Sequence, residues 1–299
     1  MKNLMGLLLA FIVIWGGLSA GMSHLPVPAS VGEPQHRLLL YLCLGCYIFL
    51  ASSLSRLLIS EVVKSGSRQL AGSLLMTFLL FVPTAVLSRG MALPPPIVAG
   101  VQTALLLFGA TVFGAALSTA VKRVGELVPL CCTAAIADLT SVAFGPTSIM
   151  AADISSYYTG GMVGPPPLVD SIILKAGMPG YTVPVPLFGV TDWLLVSLLS
   201  ASLLRLQKSD NLLPQKSTAW VPAFFSASAM GLYAGLVIAW TANVFVPAMV
   251  AIVLAFLALL VWRYDVFRKL EKSDIAYCFI LPVCVAVAML LFSHYKMSI

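Results

Sequence analysis

Polar and apolar positions divide the chain into nine apolar runs, at residues 4–21, 38–59, 70–88, 97–119, 127–149, 187–206, 219–241, 244–262 and 275–294. A helix that crosses a bilayer needs about 20 predominantly apolar residues, and each run is near that length. The runs are continuous and lack the alternation of lipid-facing and lumen-facing residues that a transmembrane barrel requires. The pattern predicts an all-α, polytopic integral membrane protein of about nine transmembrane helices, forming one transmembrane domain over residues 1–299. The first run follows Lys2 and carries Leu18-Ser19-Ala20 near its end, which are features of a cleavable signal peptide. A retained helix fits the alternation of loop charges better.

Composition agrees with the pattern. Of the 299 residues, 60% are hydrophobic and 9% charged, with a mean hydropathy of +1.01. Soluble domains carry about 25% charged residues, so this chain has too few to hydrate a globular surface. The net charge of +6 sits mostly in short loops. Four loops are basic: Arg56, Lys64 and Arg68; Lys122 and Arg123; Arg205, Lys208 and Lys216; and Arg263, Arg268, Lys269 and Lys272. Their alternation places them, with the N-terminus, on the cytoplasmic side. Lys296 at the opposite end runs against it. Compact loops point to a prokaryotic inner membrane. No basic tract interleaved with aromatics supports nucleic-acid binding. The six cysteines lie within apolar runs and read as small packing residues, without metal-ligand spacing.

One segment is unlike the other loops. Residues 150–186 are long, outward-facing and rich in Gly and Pro, yet too apolar for a plain linker, so they are expected to rest on the membrane face. Pro184 and Pro186 exclude regular helix from Tyr181 to Phe188. That stretch reads either as a capping loop or as an edge to which a peptide adds as a β-strand.

The acidic residues are few enough to place one by one. Of eleven, only Asp138 and Asp192 fall within apolar runs; the rest lie in loops or, for Glu126, at the first turn of the fifth run. An ionisable group inside the bilayer costs at least a few kcal/mol and is a functional candidate by default. The two runs are consecutive and antiparallel, so both carboxyls come to the outer half of the membrane. Adjacent carboxylates cannot both ionise, which yields one acid and one base. Three roles remain open on these residues alone: activation of water, a proton or cation pathway, and structural hydrogen bonding to neighbours such as Thr140, Ser141 and Thr191.

The flanking residues narrow the choice. The first aspartate stands in Ala137-Asp138-Leu139-Thr140-Ser141-Val142-Ala143-Phe144-Gly145-Pro146, and the second in Phe188-Gly189-Val190-Thr191-Asp192-Trp193. Pro247-Ala248-Met249 follows at the outer start of a later run. In order and approximate spacing these resemble the Tyr-Asp, Gly-x-Gly-Asp and Pro-Ala-Leu motifs of the presenilin and signal peptide peptidase family, across residues 127–262. The chain departs from the family at Ala137 for Tyr, Thr191 for Gly and Met249 for Leu. It also has four runs before the Asp138 run, where the family usually has five, and an extra one at residues 263–299.

The resemblance implies an intramembrane aspartyl protease with residues 1–126 as N-terminal helices and 127–262 as a presenilin-like catalytic core. Asp138 and Asp192 would form its dyad, with Gly189, Thr191, Pro247, Ala248 and Met249 at the substrate. It implies membrane-spanning or signal-peptide-like substrates and no metal or organic cofactor; of the family's two orientations, the loop charges match that of signal peptide peptidase. Two other readings stand beside it: an ion-coupled carrier using the same aspartates, and a non-catalytic relative that binds membrane helices, which Thr191 favours.

Overall fold

The computed structural model describes residues 2–26, 32–90, 96–162, 164–212, 226–242 and 246–297. Ten α-helices account for most of them: α1 (Lys2–Ser23), α2 (Glu33–Lys64), α3 (Ser67–Gly90), α4 (Pro96–Leu117), α5 (Leu127–Phe144), α6 (Pro146–Thr159), α7 (Val190–Arg205), α8 (Ala227–Ala242), α9 (Ala248–Tyr264) and α10 (Lys272–Met297). Each apolar run holds a helix, so the all-α expectation stands. Among the described residues, α1 to α5 and α10 are long and apolar enough to cross a membrane, while α8 and α9 are shorter apolar helices. The start of the run expected at 219 and the residues before 226 lie outside the described residues, as do 243–245 at the head of the next run.

Helix α7 is the centre of the bundle. From Trp193 to Leu203 it is buried at every position but Leu194, and it lies along α4. Gly114 makes that approach possible, because a Cβ there would stand 2.8 Å from the Leu194 carbonyl oxygen and 2.9 Å from the Leu198 nitrogen. In lipid there is no hydrophobic gain from burying one apolar helix against another, so close backbone approach at small residues carries much of the association. Gly231 does the same for α8 against Ala251 and Ile252 of α9. Around this centre, α3 and α10 are peripheral. Their outward faces expose Leu75, Phe78 and Val86, and Phe279, Val283 and Leu291, as lipid-facing surfaces should.

Two features differ from the expectation. The run at 127–149 is not one helix. Gly145-Pro146 ends α5 and begins α6, since proline has no N–H to continue the ladder and is well suited to a first helical position. Glycine is required at this break: a Cβ at 145 would lie 2.7 Å from the Ser141 Cα. Glu126, expected in the first turn of this run, stands instead as the N-cap of α5.

The second difference is the segment expected to rest on the membrane face. It contains α6, a 3-10 turn at Leu168–Ile172, and an antiparallel hairpin of β1 (Ile173–Ala176) and β2 (Val185–Gly189) with a bulge opposite Leu174 and Lys175. The hairpin is set into the bundle. Residues 174–179 are buried, and side-chain hydroxyls of three helices bond their backbone. Thr103 of α4 both accepts from the Lys175 N–H and donates to the Lys175 carbonyl, each at 2.9 Å. Ser19 of α1 accepts the Gly177 N–H at 2.8 Å, and Tyr47 of α2 donates to the Gly177 carbonyl at 2.9 Å. These bonds satisfy backbone groups that lipid could not. They also close the outer edge of β1; among the described residues, the far edge of β2 has no strand partner.

Candidate functional site

Both aspartates singled out by the sequence sit at helix N-termini. Asp192 is the third residue of α7 and its Oδ2 accepts the Gly189 N–H at 2.9 Å, closing the junction between β2 and the helix. Asp138 lies on α5, yet its Oδ2 accepts the Met249 N–H at 3.0 Å from the first turn of α9. The first four N–H groups of a helix have no partner within it and carry partial positive charge. Each carboxyl therefore meets an otherwise orphaned donor in surroundings that are mainly apolar. Pro247 caps α9 in extended conformation (φ −60°, ψ 111°), which starts the helix where Met249 can donate.

Helix α9, whose first turn bonds Asp138, packs on α5 and also touches α7, the helix of Asp192. Neither aspartate is in an ion pair with Lys or Arg among the described residues. The sequence placed both aspartates deeper than the structure does. From the α5 terminus at Phe144, Asp138 is about 9 Å in, and Asp192 is about 3 Å past the start of α7, at 1.5 Å per residue. The helices that carry them do not pack along each other: α5 rests on α9 and α10, and α7 on α4. Asp138 and Asp192 are each part-exposed, as are residues 132–137 of α5.

The remaining site candidates gather at the same place. Ala248 and Met249 are half-buried in the first turn of α9, beside Asp138. Gly189 adjoins Asp192, with a φ of −75° that any residue adopts, and a Cβ there would make ordinary contacts of 3.4 Å with Asp192 Oδ2 and Thr191 Oγ1. Thr191, which stands where the resembled motif has glycine, is the second residue of a regular helix and is exposed. No positive φ is needed there, so threonine leaves the backbone path intact.

Two polar groups that support this arrangement were not singled out from sequence. Lys175 of β1 and Asp170 form an ion pair whose side chains are each 5% exposed, and Tyr158 of α6 donates to Asp170 Oδ1 at 3.0 Å. The signal available was a single lysine inside the apolar stretch Ile172-Ile173-Leu174-Lys175-Ala176. Asp210, read as a loop charge, is 1% exposed in the turn after α7 and accepts the Ser200 hydroxyl at 2.6 Å. Burial raises its carboxyl and the Ser200 bond and the Arg56 charge lower it, with a net position of about 6.

No protein-family model, curated protein or solved structure matches this chain.

Proposed function

We propose that this chain is an intramembrane aspartyl protease of nine transmembrane helices that hydrolyses membrane-spanning peptides with an Asp138/Asp192 dyad. The observation that carries the reading is that the two embedded carboxyls each bond an N–H at a helix N-terminus, Asp192 at its own α7 and Asp138 at α9, a helix that touches both α5 and α7.

In this mechanism the dyad shares one proton and holds a water molecule. The ionised member takes a proton from that water as it attacks the scissile carbonyl, and the protonated member polarises the carbonyl oxygen and then delivers a proton to the leaving amine. The Met249 and Gly189 N–H groups fix the two carboxyls and favour charge on either as the proton moves between them. Backbone hydrolysis requires an extended substrate, because helical carbonyls are shielded by their own turns. The free edge of β2 ends at Gly189 beside Asp192, and supports strand addition as the way an unwound substrate is presented. Thr191, Ala248 and Met249 line its path. A cytoplasmic N-terminus, a prokaryotic inner membrane and the signal-peptide-peptidase orientation complete the proposal, on the loop charges.

The test is cleavage of a panel of single-helix substrates by the purified protein, beside Asp138→Asn and Asp192→Asn. The reading expects cleavage by the wild type and none by either variant, with both variants folded. Cleavage that survives in Asp192→Asn would exclude the dyad.

A further inference from the structure

Since α5 and α7 are not packed on each other, contact between them does not set the spacing of the dyad. Helix α9 touches both, but α7 lies mainly along α4, so its rotation is held from that side. On α7 the holding group is the residue next to Asp192. Trp193 is fully buried, and its indole Nε1–H lies 3.2 Å from Ser55 Oγ of α2 and 3.2 Å from Thr111 Oγ1 of α4.

The protons of this junction can be assigned. Thr111 donates its one hydroxyl hydrogen to the Leu107 carbonyl at 2.7 Å. The 2.9 Å contact between Ser55 and Thr111 is therefore donated by Ser55. Ser55 Oγ keeps its lone pairs for the indole N–H, while at Thr111 Oγ1, whose two lone pairs face the Ser55 hydroxyl and the indole, Ser197 of the next turn of α7 stands at 3.3 Å as a competing donor. The ring is flanked by Phe188 of β2, with centroids 5.9 Å apart. Three helices thus meet at one buried, directional donor, just where Gly114 brings the α7 backbone against α4.

Successive helical residues are about 100° apart, so fixing the direction of Trp193 fixes that of Asp192. A carboxyl roughly 5 Å from the helix axis moves by about 2 Å when the helix turns by about 20°. A displacement of about 1 Å at a reacting group can lower turnover on the order of 100-fold.

We propose that Trp193 is a positioning residue: its indole N–H, clamped between Ser55 and Thr111, sets the rotation of α7 that brings Asp192 to Asp138. The catalytic consequence rests on the protease reading, and the geometric one does not. The residue acts through Asp192 and has no contact of its own with substrate.

The geometric consequence is tested without activity. Asp138→Cys and Asp192→Cys are introduced together in protein whose six native cysteines are replaced, and the pair is bridged with a short bifunctional thiol reagent. Bridging is expected in this parent. Trp193→Phe, which keeps a ring and removes the N–H, is expected to slow it about tenfold, the factor that one buried hydrogen bond supplies. Thr111→Val should slow it likewise, while Thr111→Ser, which keeps the hydroxyl, should restore it, so the inference does not depend on how one variant folds. In protein with the native dyad, Trp193→Phe should lower kcat by about 100-fold with KM nearly unchanged. Bridging as fast in Trp193→Phe as in the parent overturns the positioning role alone. No bridging in the parent overturns the dyad as well.

Discussion

Removing the charge of Lys175 while leaving Asp170 in place should be among the most damaging single changes outside the dyad. Both side chains are 5% exposed, and among the described residues Tyr158 is the side-chain donor left to Asp170 once the ammonium is gone. Breaking a buried pair by removing one partner costs about 3–5 kcal/mol, because the other charge is left in a poor solvent. At 1.4 kcal/mol per factor of ten, the lower figure alone reduces the folded population ratio by more than about 100-fold. Replacing both residues with apolar ones of similar volume removes the stranded charge, so Lys175→Met combined with Asp170→Leu should recover most of the loss. The assay is equilibrium unfolding in mixed micelles on wild type, both single variants and the double. The cycle should give a coupling of about 2 kcal/mol or more, a size expected of groups in one network. The change should also reach the site, since β1 holds β2, and β2 ends at the Gly189 N–H bonded to Asp192. A loss below about 1 kcal/mol in Lys175→Met, or a double variant no more stable than the single, would refute the argument.

Three further outcomes are expected. Gly177→Ala should destabilise by more than about 1–3 kcal/mol, because its Cβ would collide with the Ser19 carbonyl oxygen and displace the hairpin; thermal unfolding in detergent reads this directly. Gly189→Ala should fold normally, given contacts of 3.4 Å and an ordinary φ, so any loss of cleavage there would report crowding at Asp192 rather than unfolding. Asp210 stands at about 6 in the folded protein against an ordinary 3.8, so folding favours its protonated form. Its contribution to stability is full below about pH 3.8 and is lost as pH rises through about 6. Thermal stability should fall across that window in wild type and not in Asp210→Asn.

Much of this arrangement was legible because lipid constrains sequence strongly. Continuous apolar runs mark helices, and so few acids are present that Asp138 and Asp192 stand out by elimination. The prolines at 184 and 186 excluded helix before β2, and an edge for strand addition was one of the two readings they left. What escaped had weaker local signals. Gly145-Pro146 was visible as a motif, but α6 beyond it mixes small and polar residues (Pro146-Thr-Ser-Ile-Met150) without a full-length apolar run. β1 is only four residues long. The Lys175–Asp170 pair joins groups five positions apart in an irregular segment, where no periodicity predicts a meeting. Asp210 looked like a solvated loop charge, and only tertiary packing buries it against Ser200. Thr191 looked like the loss of a required glycine. Its place in a regular helical turn shows that the backbone there has no such requirement.

The most direct test of the dyad is product analysis in sealed liposomes holding the wild type and a single-helix substrate, with no ion gradient imposed. The account predicts a cut within the membrane-spanning part of the substrate, mapped by mass spectrometry and absent with Asp138→Asn or Asp192→Asn. Intact substrate with folded wild type across a broad panel, or ion flux that depends on the same two aspartates, would contradict it.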